Sequence, residues 1–327
     1  MRALFLARGV LAAVCTAALV GACGTGAAGR DSSGTGGPRP VGNVTMVVPF
    51  AAGGGSDIAG RAMADGLVSV QPDLRINVDN REGGQGAVGY SYFLAKAGSP
   101  NYLLATETSL LSLPLSVDVA FSYRSFTPIM KVGEDYTLLV ARPDSPITGC
   151  ADAVAQSRQR RVLAGISGAV GPDAVVFSQL ERVAGADVDT VPYEGGGEAV
   201  AAVLGGQVEL ASLNPSEVIG QLRAGQLKAL CVFADQRYTY PELAAVPTSV
   251  EQGVPVTFAQ FRGMIAPGGL NPQAAEYWID AARRFAQSPA YTDYVESEYL
   301  QPRVAFGAEF GAYLQDSEKL LAQVVRR

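Results

Sequence analysis

Two similar stretches, far apart in the chain, decide the fold. The first is Val47-Val48-Pro49-Phe50-Ala51-Ala52-Gly53-Gly54-Gly55-Ser56-Asp57, and the second is Thr190-Val191-Pro192-Tyr193-Glu194-Gly195-Gly196-Gly197-Glu198. In each, an apolar strand ends in Val-Pro-aromatic, three glycines follow, and an acidic residue opens a helix. Such a loop offers backbone N–H groups and the positive end of a helix dipole to an anion. The pair predicts a clamp that holds one small anion between two lobes. A tight strand-to-helix connection is the alternative for either loop taken alone.

Working outward from these stretches, short β-type runs alternate with helical stretches from Val44 to the end of the chain. The predicted strands are residues 44–50, 75–80, 102–106, 136–142, 161–167, 188–193, 208–213 and 227–234. Strand-helix alternation of this kind is typical of parallel sheets with helices on both faces. The pattern therefore predicts an α/β protein with mostly parallel sheets flanked by helices. Trp278 lies in an amphipathic helical stretch and is predicted to belong to the core.

The composition excludes several classes of function. The 327 residues carry a net charge of -6 and contain no histidine. Ser-His-Asp and Cys-His nucleophile systems and zinc sites that use histidine are therefore impossible within the chain. The acidic balance, without a run of Lys and Arg, argues against nucleic acid as a partner. No G-K-[ST] follows the glycines, so neither loop is a P-loop, and we predict no cofactor and no metal site.

The first 43 residues predict export. Arg2 and Arg8 precede an apolar run that is too short for a permanent membrane helix, as in a secretory signal. The run ends in Leu19-Val20-Gly21-Ala22-Cys23, which resembles a bacterial lipobox. We expect a signal peptide over residues 1–22 and a lipid on Cys23, followed by a flexible linker to residue 43. An ordinary signal with a chance cysteine is the alternative.

Two further cysteines lie within the folded part. Cys150 and Cys231 could pair outside the cytoplasm, where disulfides persist. Two buried free thiols are the alternative, because the sequence does not show whether they approach each other.

Beyond the glycine loops, an ordered series of motifs resembles one known family. The series includes Asn-Arg-Glu-Gly-Gly-Gln-Gly from Asn80, Phe126-Thr127-Pro128-Ile129, Val246-Pro247-Thr248 and Gly263-Met264-Ile265-Ala266-Pro267. Together with both glycine loops, it is similar to the solute receptors of tripartite tricarboxylate transporters, also called Bug proteins. The resemblance covers essentially the whole chain after the linker.

This resemblance implies a two-lobed, Venus-flytrap binding protein of the type II-like kind, without catalysis. Lobe 1 would comprise residues 44–141 and 248–327, lobe 2 would comprise residues 142–247, and hinges would lie near residues 142–146 and 244–250. A monomer anchored outside the cytoplasm would capture a small carboxylate or amino acid and deliver it to membrane permease subunits. A sensor that presents ligand to a membrane kinase is the alternative, and a secreted enzyme with a carboxylate or tyrosine acid-base group is a weaker one.

The candidate ligand-binding residues lie at five strand-to-helix loops. They are Phe50, Ala51, Ala52, Gly53, Gly54, Gly55, Ser56, Asp57, Thr106, Ser109, Ser167, Gly168, Pro172, Tyr193, Gly195, Gly196, Gly197 and Asn214. Thr108 and Ser212 are weaker candidates of the same kind.

Four carboxylates open or adjoin these loops: Asp57, Asp173, Glu194 and Glu198. Acids in a first helical turn commonly just stabilise the helix dipole, and Asp57 can pair with Arg61 one turn on. If some of them face the pocket instead, a zwitterion or monocarboxylate would fit better than a tricarboxylate. The chain also departs from the family pattern at Glu194, at Gly171-Pro172-Asp173 and at Phe261, so the far end of the pocket is expected to differ.

Overall fold

A computed structural model of the protein describes residues 39–169, 171–193 and 195–323. The predicted signal peptide, Cys23, most of the linker and Glu194 lie outside the described residues. The strands are β1 (Asn43–Val48), β2 (Arg75–Asn80), β3 (Tyr102–Glu107), β4 (Phe126–Tyr136), β5 (Leu138–Ala141), β6 (Val162–Ser167), β7 (Val188–Tyr193), β8 (Leu210–Leu213), β9 (Lys228–Val232), β10 (Ala259–Pro267) and β11 (Ala305–Phe306). The helices are α1 (Gly55–Val70), α2 (Ala87–Leu94), α3 (Ser109–Ser116), α4 (Cys150–Ser157), α5 (Pro172–Ala184), α6 (Gly196–Leu204), α7 (Pro215–Arg223), α8 (Pro272–Phe285), α9 (Pro289–Ser297) and α10 (Ala308–Leu321).

The strands form two separate sheets. The first has the order β11-β4-β10-β3-β1-β2, and the second has the order β7-β6-β8-β5-β9. Strands β1, β2 and β3 pair in parallel, as do β6, β7 and β8. This arrangement confirms the predicted α/β fold with two lobes, since each sheet carries helices and a core of its own.

Both sheets are mixed, which corrects the expectation of mostly parallel sheets. In the first sheet β10 pairs antiparallel with β3 and β4, and in the second β5 pairs antiparallel with β8 and β9. Strands β4 and β10 were not among the predicted strands because charged residues interrupt their apolar pattern. These are Lys131, Glu134 and Asp135 in β4, and Arg262 in β10.

The chain crosses between the sheets earlier than expected. Strand β4 belongs to the first sheet and β5 to the second, so the first crossing lies at Thr137 and not near residues 142–146. The chain returns later than expected, because residues 247–256 still belong to the second lobe: Val232 N–H donates to Pro247 O, and Val254 and Val256 lie in the core against α4 and α5. The second crossing therefore lies between Val256 and β10 and not at residues 244–250. We retain the division into two lobes as a proposal, with the boundaries moved to Thr137 and to the start of β10.

Hydrophobic cores cover both faces of each sheet. On the first sheet, one cluster includes Met46 and Trp278 and packs under α1, α8 and α9, whereas another includes Tyr90 and Phe310 and packs under α2, α3 and α10. On the second sheet, separate clusters lie against α4 and α5 and against α6 and α7. Trp278 is fully buried and donates its indole N–H to Pro100 O, which confirms its predicted place in the core.

A disulfide joins Cys150 at the start of α4 to Cys231 in β9, with the two Cα atoms 5.9 Å apart. It closes across 81 residues within the second lobe. Among the described residues, no helix is both long enough and apolar enough to cross a membrane.

Candidate ligand-binding cleft

The first glycine loop, residues 50–57, is braced from within by Asp57. Its buried carboxylate accepts hydrogen bonds from the Gly53 amide, Arg61 Nε and Asn80 Nδ2, each at 2.9 Å. Asn80 Nδ2 also donates to Phe50 O at 3.1 Å. Burial alone would raise the pKa of Asp57, but the Arg61, Gly53 and Asn80 donors together hold it below its usual value. Asp57 thus pairs with Arg61 as the sequence suggests, and its oxygens are used to shape the loop.

The backbone of this loop is what remains available for a ligand. Gly53 has φ +84°, a left-handed conformation that favours glycine, and it brings the chain into α1. Gly54 caps α1 without any side-chain hydrogen bond. Within the described residues the N–H groups of Gly54, Gly55 and Ser56 have no acceptor. A 16-residue helix that starts with uncapped, exposed donors is a favourable site for an anion.

The second glycine loop is described at Tyr193 and from Gly195 onward, and it also leads from a strand into a helix. Gly195 precedes α6 in an extended conformation and has no side chain with which to cap the helix. A Cβ placed on Gly196 would collide with Glu217 Oε1, whereas Gly195 and Gly197 have open space there. Glu217 belongs to α7, and its Oε2 accepts the Asn214 amide at 2.9 Å. The start of α6 therefore already has a carboxylate of the protein beside it.

A third loop, between β6 and α5, holds Asp173 in full burial. Oδ2 of Asp173 accepts hydrogen bonds from both the amide and the hydroxyl of Ser167. Oδ1 has no hydrogen-bond partner among the described residues. Burial raises the pKa of Asp173 to about 7, in spite of the Ser167 donors. The neighbouring Glu217 carboxylate raises it further.

Strand β10 connects the loops of the two lobes. Arg262 lies beside the first glycine loop, since a Cβ on Gly55 would lie 3.4 Å from Arg262 Nη2. The same Nη2 lies 3.2 Å from Asp135 Oδ2, and both side chains are largely buried. These contacts place a paired guanidinium next to the uncapped start of α1.

Gln260, two residues before Arg262, bridges the sheets. It accepts from Asn214 Nδ2 of the second lobe and donates to Glu107 Oε2 of the first, each at 3.3 Å. Successive strand residues alternate between faces, so Gln260 and Arg262 share one face. Glu107 stands directly opposite Arg262 in the sheet, and Asp135 stands opposite Gln260. The glycine loops and this polar face of β10 therefore form one cleft.

Acids outnumber cations in this cleft. Glu107, Asp135 and Asp173 are buried, and each has one carboxylate oxygen without a partner among the described residues. Part of the Glu217 side chain contacts solvent, but many protein atoms surround its carboxylate. This desolvation raises the pKa of Glu217 and outweighs the opposing effect of the Asn214 amide. Burial also raises the pKa of Asp135, against the opposing effect of Arg262.

Several predicted residues lie apart from the open part of the cleft. Thr106 and Ser109 are buried, and their hydroxyls lie 3.0 and 3.2 Å from the hydroxyl of Tyr90, in the core under α2. Ser212 donates to the Thr137 hydroxyl at 2.8 Å, again out of solvent. By contrast, Ala51 and Ala52 are exposed, and the side-chain amide of Asn214 donates to Gln260 in β10.

The remaining candidates differ in their exposure to solvent. Pro172 is buried, while Phe50, Ser167, Gly168 and Tyr193 are partly exposed. Glu198 is exposed in the first turn of α6. Among the described residues, no group of three or more Cys, Asp or Glu is arranged to hold a metal ion.

A separate cavity of about 470 Å³ lies on the other face of β10. Its lining includes Thr108, Tyr136, Arg182, Phe261, Arg303 and Tyr313, and none of the glycine-loop residues. Phe261 faces this cavity because it alternates with Gln260 and Arg262.

Comparison with known families decides the relationship. The family-level sequence model described as 'Tripartite tricarboxylate transporter family receptor' matches residues 60–327 of the chain. The chain belongs to this family of receptors. The match includes the second and third loops, β10 and α7, and begins just after the first glycine loop.

Among curated relatives of this receptor, BugT of Bordetella pertussis is 29% identical over 297 residues, 88% of this chain and 89% of the relative. Solved structures show the same fold. A TctC solute binding protein from Polaromonas aligns with TM-score 0.73 and 23% identity, covering 86% of this chain and 97% of that one. MatC from Rhodopseudomonas palustris with bound malate aligns with TM-score 0.73 and 22% identity, over 87% and 99%. A second protein from R. palustris, with adipate, reaches TM-score 0.77 at 22% identity, over 87% and 98%.

Five polar residues of the receptor's cleft were missed by the sequence reasoning: Glu107, Asp135, Glu217, Gln260 and Arg262. Glu217 carried a usable signal, since Asn214-Pro215-Ser216-Glu217 has the spacing of a capping box at a helix start. Arg262 stands just before the family-like segment from Gly263, but nothing in its local sequence marks it as buried.

Proposed function

We propose that this chain is an extracytoplasmic solute receptor that binds a small carboxylate between its lobes and delivers it to the permease subunits of a tripartite tricarboxylate transporter. One observation carries the proposal: the uncapped N–H groups at the start of α1 lie beside the guanidinium of Arg262. A carboxylate there would receive charge-assisted hydrogen bonds, each typically worth about 1.5–3 kcal/mol. Family membership and the malate and adipate complexes of structural relatives support this class of ligand.

The grip of the first glycine loop can be tested by removing a single donor. Proline at position 55 deletes the Gly55 N–H at the first position of α1, where proline is well tolerated. Gly54, with φ -83° and ψ 169°, already has the extended backbone that a following proline requires. The matched control is Gly55→Ala, which adds a Cβ at the same place beside Arg262 but keeps the N–H.

The assay is calorimetric titration of the purified full-length protein with whatever acid a thermal-shift screen of carboxylates and amino acids identifies. Loss of one charge-assisted bond of about 1.5–3 kcal/mol corresponds to a loss of affinity of roughly 10- to 150-fold in Gly55→Pro. The alanine variant should lose much less. Equal losses in the two variants would show that the N–H is not a ligand contact.

Delivery and anchoring are tested separately. Deleting the gene should abolish cellular uptake of the bound acid, and a Cys23→Ala variant should release the protein from the membrane fraction. Unchanged uptake after deletion would favour the sensor function, in which the ligand is presented to a membrane kinase. Conversion of the ligand during incubation with the protein, followed by mass spectrometry, would instead favour an enzyme.

A further inference from the structure

The two glycine loops look alike in sequence but offer different electrostatic environments. Beside the start of α1 lies the guanidinium of Arg262, while beside the start of α6 lies the carboxylate of Glu217. A second anion at α6 would have to approach Glu217, and like charges at short range repel. The cleft can therefore accept an anionic group at the first loop much more readily than at the second.

Buried carboxylate oxygens between the lobes also lack donors. Glu107 Oε1 and Asp135 Oδ1 have no partner among the described residues, and both side chains are at most 6% exposed. Ionised carboxylates only accept hydrogen bonds, so such atoms call for N–H or O–H donors. Of these acids, Asp135 pairs directly with a cation, the guanidinium of Arg262.

We propose that the ligand is a zwitterionic amino acid whose carboxylate binds the start of α1 beside Arg262 and whose ammonium group binds Glu217. This inference rests on the proposed receptor function and deepens it. Glu217 acts as the specificity residue: it accepts hydrogen bonds from the ammonium group and repels the second carboxylate of a diacid. Its Oε2 is fixed by the Asn214 amide, which leaves Oε1 facing the second glycine loop. Specificity of this kind combines an attraction with a repulsion.

The experiment compares acids that differ only in the amino group. The pairs are L-leucine and 4-methylpentanoate, L-phenylalanine and 3-phenylpropionate, L-glutamate and glutarate, and 4-aminobutyrate and butyrate, with malate and adipate as diacids. Each is titrated calorimetrically into the full-length wild type, Glu217→Gln and the control Glu276→Gln. Glutamine keeps the shape of Glu217 and an oxygen for the Asn214 amide, and Glu276 is exposed on α8, away from the cleft.

In the wild type we expect at least one aminated acid to bind at least tenfold more tightly than its amine-free partner. Glu217→Gln should reduce that preference about tenfold or more and improve the binding of diacids, whereas Glu276→Gln should leave both unchanged. Tighter binding of the amine-free acids or of a diacid by the wild type would overturn the proposal and leave the carboxylate receptor standing. A preference that Glu217→Gln does not alter would overturn the assignment of Glu217. Failure of every acid to bind would overturn the proposed function itself.

Discussion

Replacing Asp173 with asparagine should change how the stability of the protein depends on pH. Asp173 is fully buried in the third loop, and burial raises its pKa to about 7. In the unfolded chain its pKa returns to about 3.9. Between these two values the unfolded state has lost the proton and the folded state has kept it. Stability therefore falls as pH rises through this window, which is the opposite of the usual behaviour of a paired carboxylate.

The magnitude follows from the separation of the two pKa values. With a folded pKa of about 7 and an unfolded pKa of about 3.9, this one group lowers the free energy of unfolding by roughly 2.5 kcal/mol between pH 5 and pH 8. Asparagine does not titrate, and its side-chain oxygen can still accept from the Ser167 amide. The difference in unfolding free energy, variant minus wild type, should thus grow by about that amount from pH 5 to pH 8.

Urea unfolding at pH 5, 6, 7 and 8 measures this difference, with the fluorescence of Trp278, the single tryptophan of the chain, as the signal. Asp152→Asn is the matched control, because Asp152 also lies in the first turn of a helix of the second lobe. There the Thr148 amide, followed by Gln156, lowers the pKa of the carboxyl. That variant should lose stability without any change in slope between pH 5 and pH 8. Parallel curves for Asp173→Asn and wild type would refute the buried, protonated state of Asp173.

Two further perturbations test the frame of the cleft. Arg262→Met should lower the free energy of unfolding by about 3–5 kcal/mol because it leaves the buried Asp135 carboxylate without its cation. Adding Asp135→Asn should recover much of that loss. A double-mutant cycle measured by urea unfolding tests this pairing, and additive losses in the two single variants would contradict it. Replacing Cys150 and Cys231 with alanine should cost about 2–4 kcal/mol. In thermal melts a reductant should lower the melting temperature of the wild type toward that of the double variant and leave the melting temperature of the variant unchanged. Equal melting temperatures of the two proteins without reductant would show that the disulfide contributes no stability.

Much of the fold could be predicted because its signals are local. Strands β2 and β7 have the predicted bounds, since each is a short β-type run between glycine, proline or polar residues. The glycine loops could be found because the same order of strand, Val-Pro-aromatic, three glycines and an acidic residue occurs twice in the chain. Their backbone conformation, as at Gly53, is decided within a few residues.

Strands β4 and β10 could not be predicted for a physical reason. Each carries charged residues that a sequence pattern assigns to the surface. In the folded protein Lys131 pairs with Glu134, and Arg262 pairs with Asp135 across neighbouring strands. The latter pair is 127 residues apart in the chain, so no local window contains it. Missing these two strands explains the wrong expectation for the first sheet, because both pair antiparallel there. In the second sheet the antiparallel strand is β5, whose direction relative to β8 and β9 does not follow from its own apolar run.

The same omission concealed the chemistry of the cleft. From the loops alone, two matching helix starts predict a clamp that holds one small anion between the lobes. The structure breaks this symmetry with two side chains from elsewhere, Arg262 from β10 and Glu217 from α7. A side chain at position 196 would displace the Glu217 carboxylate that lies against Gly196, so this glycine serves an internal contact in this lobe. An apolar residue at position 217 would free the start of α6 and leave a cleft suited to a diacid. The choice between diacid and amino acid is therefore made by a residue outside both loops, which is why loop sequence alone is a poor guide to ligand in this receptor.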